Sequence, residues 1–332
     1  MTIFTEKEKQ RMQLARETQI NSTRDINCFG TLLYILGEQE IDQYIYLDPD
    51  IVITSRWFDS LYLENTSKKI VWFQDAHFAD PNRPDALSKA DLMICSSSWH
   101  RHYIAERYAH GIDARKLEVI PLGIRKELFR QSIDRDSNKV IYSSNPDRGL
   151  YILIDMWKEI YKLIPDIHLD IYYGWEGLRT WSDTKNWSGI VENQYSSTMQ
   201  KIDSFNNISF KGRLTKRELA REMLSATLCL YPNNFQETFC LTSLETQVAG
   251  VPTITTDSGA LSTTLNRECN VLIDKNPFSI EYKNRFIKET VDLFNDNSRV
   301  NMWSKSCRDY VMYGKHDWSD IGNIWDEKIF KV

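Results

Sequence analysis

Two α/β units, each built on a parallel sheet, are what this 332-residue sequence predicts. Three observations predict it. At ~150 residues per domain the length favours two domains with sizeable cores. Short apolar runs rich in β-branched and aromatic residues alternate with longer helix-prone stretches, the order that builds parallel sheets. That alternation pauses at a polar, charged stretch, 126–138, and then begins again.

Residues 5–20 are charged and helix-prone and read as a solvated helix. Residues 41–53 read as short strands and turns, with Asp48-Pro-Asp50 as a turn. Residues 70–73 and 91–95 are buried-strand candidates, and Ser96-Ser-Ser98 is a helix-start cluster ahead of a helix over 99–110. Residues 117–120 make a strand that stops at Pro121-Leu-Gly123. In the second half, strands are expected at 139–142, 167–173, 208–210, 227–231 and 251–255. Helices are expected at 150–163, 216–225 and 242–248, with a turn at 143–149. Residues 175–198, with Trp175, Trp181 and Trp187 between polar spacers, read as a long loop or partly helical insertion. The three rings are open either to stacking on a sugar or base or to packing as an aromatic cap.

Composition narrows the function classes. The net charge of −5 gives no strong electrostatic grip on nucleic acid. Thirteen glycines are well below the ~7% of an average chain, so a phosphate loop here must use few of them. The six cysteines form no C-x-x-C pair and no zinc-like cluster, so reduced thiols are expected. No apolar run approaches the ~18 residues of a membrane span. The start lacks a signal-peptide apolar core, and a cytoplasmic protein is expected. Tyr103, Arg107, Tyr108, Arg115 and Lys116 make a modestly basic, aromatic region open to an anionic acceptor or to peripheral membrane contact. A dinucleotide oxidoreductase is disfavoured, because no G-x-G-x-x-G follows a strand.

The sharpest segment runs from Tyr231 to Pro252. Glu237 sits in the loop after a buried strand, and Glu245 in the next helix. In open α/β sheets ligands bind at such strand ends. Between the carboxylates lie the amides of Phe239, Cys240 and Leu241, near a helix start whose dipole suits a diphosphate. Two carboxylates beside an anion site make sense if each accepts hydrogen bonds from hydroxyl groups.

This segment resembles the signature of the nucleotide-sugar-dependent group 1 glycosyltransferases. It carries Leu230-Tyr-Pro232, then Glu237-Thr-Phe239, then Glu245-Thr-Gln-Val-Ala-Gly250-Val-Pro252. Thr255–Leu261 resembles the family's glycine strand-end loop, and Phe210-Lys-Gly-Arg213 its loop beside the base. Arg148-Gly149 matches the family's Lys-Gly, whereas Ser144 stands where the family usually has arginine. Val71–His77 resembles a strand that ends in a histidine near the reacting carbon; here Gln74-Asp75 follows the strand and His77 comes two residues later. Ala90–Ser98 and Val119–Gly123 with Phe129 resemble further family segments. The family's N-terminal glycine loop has no counterpart in residues 1–40, so the acceptor side is reduced or rebuilt.

The resemblance implies the GT-B fold: two Rossmann-like domains facing each other, with a short first domain and a C-terminal helix crossing back. The boundaries it implies are 1–125, a linker at 126–138, a nucleotide-sugar domain at 139–305 and the returning segment at 306–332, with Trp318–Trp325 as its helix. It implies sugar transfer from a nucleotide diphosphate sugar, UDP- or GDP-linked, to a glycan, lipid or other hydroxyl acceptor. Retention of configuration, with no metal and no other cofactor, is implied too. Glu237, Asp75, His77 and Gln74 fall at the catalytic positions. Ser144, Asn145, Arg148, Gly212, Arg213, Thr238, Phe239, Cys240, Leu241 and Glu245 fall on the donor side. Asp48-Pro-Asp50 has the letters of a metal motif but lies outside the family pattern. Two alternatives stand beside this reading: transfer to modified DNA bases, and non-catalytic binding of a sugar nucleotide.

Overall fold

The computed structural model describes residues 32–35, 51–55, 58–62, 68–76, 85–108, 111–184 and 188–330. The expected helix at 5–20, the Asp48–Asp50 turn, His77 and Trp187 lie outside them. The first sheet contains β1 (Leu32–Ile35), β2 (Ile51–Thr54), β3 (Lys68–Trp72), β4 (Leu92–Cys95) and β5 (Leu117–Val119). They pair in that order, all parallel. Helix α1 (Ser98–Arg107) follows β4, and the Ser97 side chain accepts its His100 N–H at 3.0 Å, the N-cap that the serine cluster predicts.

The second unit begins with β6 (Lys139–Tyr142), α2 (Leu150–Leu163), β7 (His168–Tyr172), α3 (Glu176–Thr184), α4 (Ser188–Asp203) and β8 (Ile208–Gly212). It continues with α5 (Lys216–Leu224), β9 (Leu228–Tyr231), α6 (Leu241–Val248), β10 (Thr253–Thr256), α7 (Leu261–Thr264) and β11 (Val271–Ile273). Helices α8 (Ile280–Phe294) and α9 (Asn297–Tyr313) close it, and α10 (Trp318–Trp325) leaves it. The sheet order is β11-β10-β9-β6-β7-β8, all parallel. Strands β6, β9 and β10 are buried along their whole length, as a sheet covered on both faces requires. Helix α2 turns Leu150, Leu153, Trp157 and Ile160 inward at helical spacing.

Of the two readings of residues 175–198, the helical one holds among the described residues, where α3 and α4 occupy the stretch. Trp175 is buried with its ring 5.5 Å from that of Tyr195, so it packs in the core instead of facing a ligand. The 126–138 stretch is not loose. Its Lys126–Phe129 3-10 turn buries Leu128 and Phe129 in the second unit's core, and Arg135 donates to the Gly250 carbonyl at 2.7 Å.

The chain crosses between the units twice, side by side. Ile124 N–H donates to His316 O at 2.9 Å, and Trp318 N–H donates to Ile124 O at 3.2 Å. The buried Lys126 ammonium caps the end of α9 through Gly314 O at 2.6 Å and Met312 O at 3.3 Å. Beyond the crossing, Ile321 and Ile329 join Ile51, Ile53, Ile70, Ile94 and Ile120 in one apolar cluster. Trp325 meets Trp72 edge to face at 5.2 Å. The last helix therefore completes the core of the first unit. Among the described residues no helix is long and apolar enough to cross a membrane.

Candidate active site

A cavity of about 540 Å³ opens at the carboxyl ends of β6, β7, β8 and β9, where an open parallel sheet takes its ligand. Eight of the sequence-derived candidates line it: Ser144, Asn145, Arg148, Arg213, Glu237, Cys240, Leu241 and Glu245. They come from three separate stretches of chain, 144–148, 213 and 237–245, which the fold brings together.

Glu237 is held from two sides. Tyr231 donates its hydroxyl to Glu237 Oε1 at 2.7 Å, and Ser144 Oγ donates to the Tyr231 hydroxyl at 3.3 Å. Burial pushes the Glu237 pKa up, while the Tyr231 bond and the Arg148 charge oppose that shift. Behind the carboxylate, Ala260 N–H donates to Glu237 O at 2.7 Å. Gly259, at φ +60, packs so closely that a Cβ there would lie 2.6 Å from both Glu237 N and Glu237 O. Gly259→Ala is therefore expected to destabilise the chain by about 2 kcal/mol and to displace Glu237. Melting curves and donor turnover check both effects.

Arg148 ends the 3-10 turn Pro146–Arg148 after β6. Its guanidinium lies 3.2 Å from the Phe235 ring centroid, and Nε is 3.4 Å from Asp147 Oδ1. Its Nη1 is buried without a hydrogen-bond partner, as are Ser143 Oγ and Asn145 Oδ1 in the same cavity wall. Buried polar atoms in that condition mark a place for a polar ligand. Gly149, at φ +109, brings this turn against the Pro232 carbonyl, where any Cβ would sit 2.1 Å away.

Glu245 on α6 is nearly buried and pairs with Lys216 Nζ at 2.5 Å. Sequence reasoning missed Lys216, although Thr215-x-x-Glu218 marks the start of α5 at a strand end. It also missed Ser143, Tyr172, Tyr173, Leu214, Leu219 and Thr242, which complete the lining.

Gly212 ends β8 beside the cavity, and Thr238 and Phe239 turn toward the first unit. Thr238 Oγ1 donates to Gln74 O at 3.0 Å, and Ser97 Oγ donates to Thr238 O at 2.8 Å. These two bonds tie the Glu237 loop to the first unit. Gln74 and Asp75 thus stand beside that loop, outside the cavity lining. Asp75 has a neighbour that the sequence did not single out. His100 is fully buried, its Nδ1 accepts Ser96 N–H at 3.2 Å, and its Nε2 lies 3.2 Å from Asp75 O. Burial lowers its pKa to about 4, so the ring is neutral at pH 7 with Nε2 as the donor. The unfolded chain binds the proton more tightly, so this term favours folding above pH ~6.5 and fades as pH falls toward 4. A melting curve of His100→Gln should consequently be flatter than the native one between pH 6.5 and about 4.

Residues 124–302 match the family of group 1 glycosyl transferases. That stretch is more than half of the chain. The chain belongs to this family. No curated protein matches it. Among solved structures, HepE of Anabaena, in complex with UDP and glucose, superposes with a TM-score of 0.67 at 14% identity, covering 88% of this chain and 81% of that one. Sucrose-phosphate synthase of Thermosynechococcus elongatus gives 0.68 at 17% identity, over 88% of this chain and 77% of that one. The pneumococcal O-GlcNAc transferase GtfA, in complex with UDP and GlcNAc, gives 0.63 at 15% identity, over 88% and 59%. At such identities the likeness establishes the fold. This group 1 glycosyltransferase has the two-sheet GT-B architecture, with its lined cavity in the family-matched half.

Proposed function

We propose that the chain moves a sugar from a nucleoside diphosphate sugar to a hydroxyl of a glycan, lipid or other acceptor, retaining the anomeric configuration and needing no metal ion. The observation that carries this reading is the meeting, in one cavity, of a guanidinium with an unpaired Nη1 and two carboxylates, Glu237 and Glu245. Arg148 takes the diphosphate, with Ser144 and Asn145 beside it. The amides from Thr238 to Leu241, at the start of α6, add the positive end of a helix dipole. Glu245 accepts hydrogen bonds from the ribose, Glu237 accepts them from the sugar, and Gly212-Arg213 lies toward the base. HepE and GtfA, crystallised with UDP, support a uridine donor.

Chemically, the bond from the anomeric carbon to the diphosphate oxygen breaks through an oxocarbenium-like state. The acceptor oxygen bonds to the same face, and its proton passes to the departing diphosphate. No enzyme nucleophile is consumed. Arg148 and the helix start stabilise the charge that develops on the leaving group. Gln74 and Asp75 belong to the opposing unit, which meets the Glu237 loop and helps to exclude water.

The test is incubation with UDP-glucose, UDP-GlcNAc and GDP-mannose, with and without EDTA, while following nucleoside diphosphate release. Release with one donor, unaffected by EDTA, supports the reading, and NMR of the product anomer tests retention. Nucleotide binding without release or transfer to any hydroxyl acceptor would favour a binding protein instead.

A further inference from the structure

Tyr173 has φ +97, and among the described residues Cys240 is the other non-glycine residue with positive φ. A bulky side chain there crowds its own backbone. A turn that merely needed this angle would be filled by glycine at no steric cost. Such strain persists where neighbours impose it, and it concentrates at binding sites.

The neighbours are visible. Tyr172 is buried, and its hydroxyl donates to Glu222 at 2.7 Å with Asp170 Oδ2 3.0 Å away. The β7–β8 ladder is irregular at Ile171/Tyr172. Tyr173 N–H then donates to Gly212 O at 2.9 Å, and the Glu176 carboxylate closes over Gly174. Anchored on both sides, Tyr173 is swung off the strand end into the cavity wall. Its ring joins none of the three hydrophobic clusters. It instead meets the Arg213 guanidinium, 5.2 Å from the ring centroid. Tyr173 is thus a partly buried aromatic backed by a cation, lining the cavity that holds Arg148 and Glu245 and outside the hydrophobic clusters.

We propose that Tyr173, backed by Arg213, is the stacking platform for the nucleobase of the donor. This rests on the nucleotide-sugar reading above. Every base has a π-face, so the platform supplies affinity for nucleotides in general and leaves the choice of base to polar groups around it.

The experiment is calorimetric titration of the intact protein with UDP, GDP and ADP, and with inorganic pyrophosphate, alongside melting curves. The variants are Tyr173→Phe, Tyr173→Gly and Tyr173→Asn, the last two tolerant of a left-handed backbone. In Tyr173→Gly and Tyr173→Asn the tightest nucleotide should weaken about tenfold, the scale of one lost base stack. Pyrophosphate affinity should stay unchanged, Tm should stay level or rise, and Tyr173→Phe should match the native protein. An unchanged nucleotide affinity in Tyr173→Gly and Tyr173→Asn would overturn the platform and leave the donor reading intact. Equal losses for nucleotide and pyrophosphate would assign Tyr173 a purely structural role and overturn it as well. A native protein that binds no nucleotide better than pyrophosphate would remove the donor reading, and the platform with it.

Discussion

Glu237→Gln is expected to lower sugar transfer by at least about 10²-fold while the protein melts where the native one does. The amide keeps an acceptor oxygen for the Tyr231 hydroxyl, which now reaches Glu237 Oε1 at 2.7 Å. Tyr231 is itself buried, so Glu237→Ala would add an unsatisfied donor worth ~1–3 kcal/mol. Glutamine is thus the cleaner substitution and alanine the control for folding. What glutamine removes is the carboxylate, whose charged form burial disfavours while the Tyr231 hydroxyl and the Arg148 guanidinium favour it. Turnover is measured at saturating donor, so that binding defects are set apart. Native-like turnover in both variants would sink the placement of Glu237 at the sugar.

Arg148→Ala is the second large effect. Its guanidinium is pre-positioned on the Phe235 ring, and its Nη1 has no hydrogen-bond partner. A hydrogen bond to a charged partner contributes ~1.5–3 kcal/mol, so nucleoside diphosphate affinity should fall about 10- to 150-fold. Arg148→Lys should recover little of it, because an ammonium on a flexible stem cannot reproduce the planar fork. The donor KM should carry most of the loss if Arg148 holds the ground-state diphosphate. A fall in kcat instead would place it on the leaving group in the transition state. Unaltered nucleotide titrations in Arg148→Ala would remove it from the site.

Much of the second unit is legible in sequence, because its signals are local. The spacing of Leu150, Leu153, Trp157 and Ile160 marks α2, and the apolar runs around Val140 and Leu230 mark buried strands. Eight site candidates could be found because they sit at strand ends or in the helix that follows, inside segments that resemble the family's motifs. What stayed open or unseen has nonlocal causes. Helices α3 and α4 carry four serines and two glycines, which weaken a helical pattern, and tertiary packing around Trp175 and Val191 settles it. Lys216 gains its meaning from Glu245, 29 residues away. The bonds from Thr238 to Gln74 and from Ser97 to Thr238 span 164 and 141 residues. Nothing in the neighbouring letters announces contacts of that range. Tyr173 announces its strain in no letter at all; only the backbone angle reveals it.

The way Ile321 and Ile329 complete a row of five isoleucines has a consequence for birth order on the ribosome. Strands carrying Ile51, Ile70 and Ile94 emerge early, yet among the described residues their cluster gains Ile321 and Ile329 only after the whole second unit has been made. The nascent first unit therefore waits, sticky and unfinished, while the later-made half, whose core is built almost wholly from its own residues, can settle first. Vectorial synthesis and folding order run in opposite directions here. A stalled or clipped chain ending before Trp318 would leave that row without Ile321, Ile329 and Trp325, an invitation to chaperones and to aggregation.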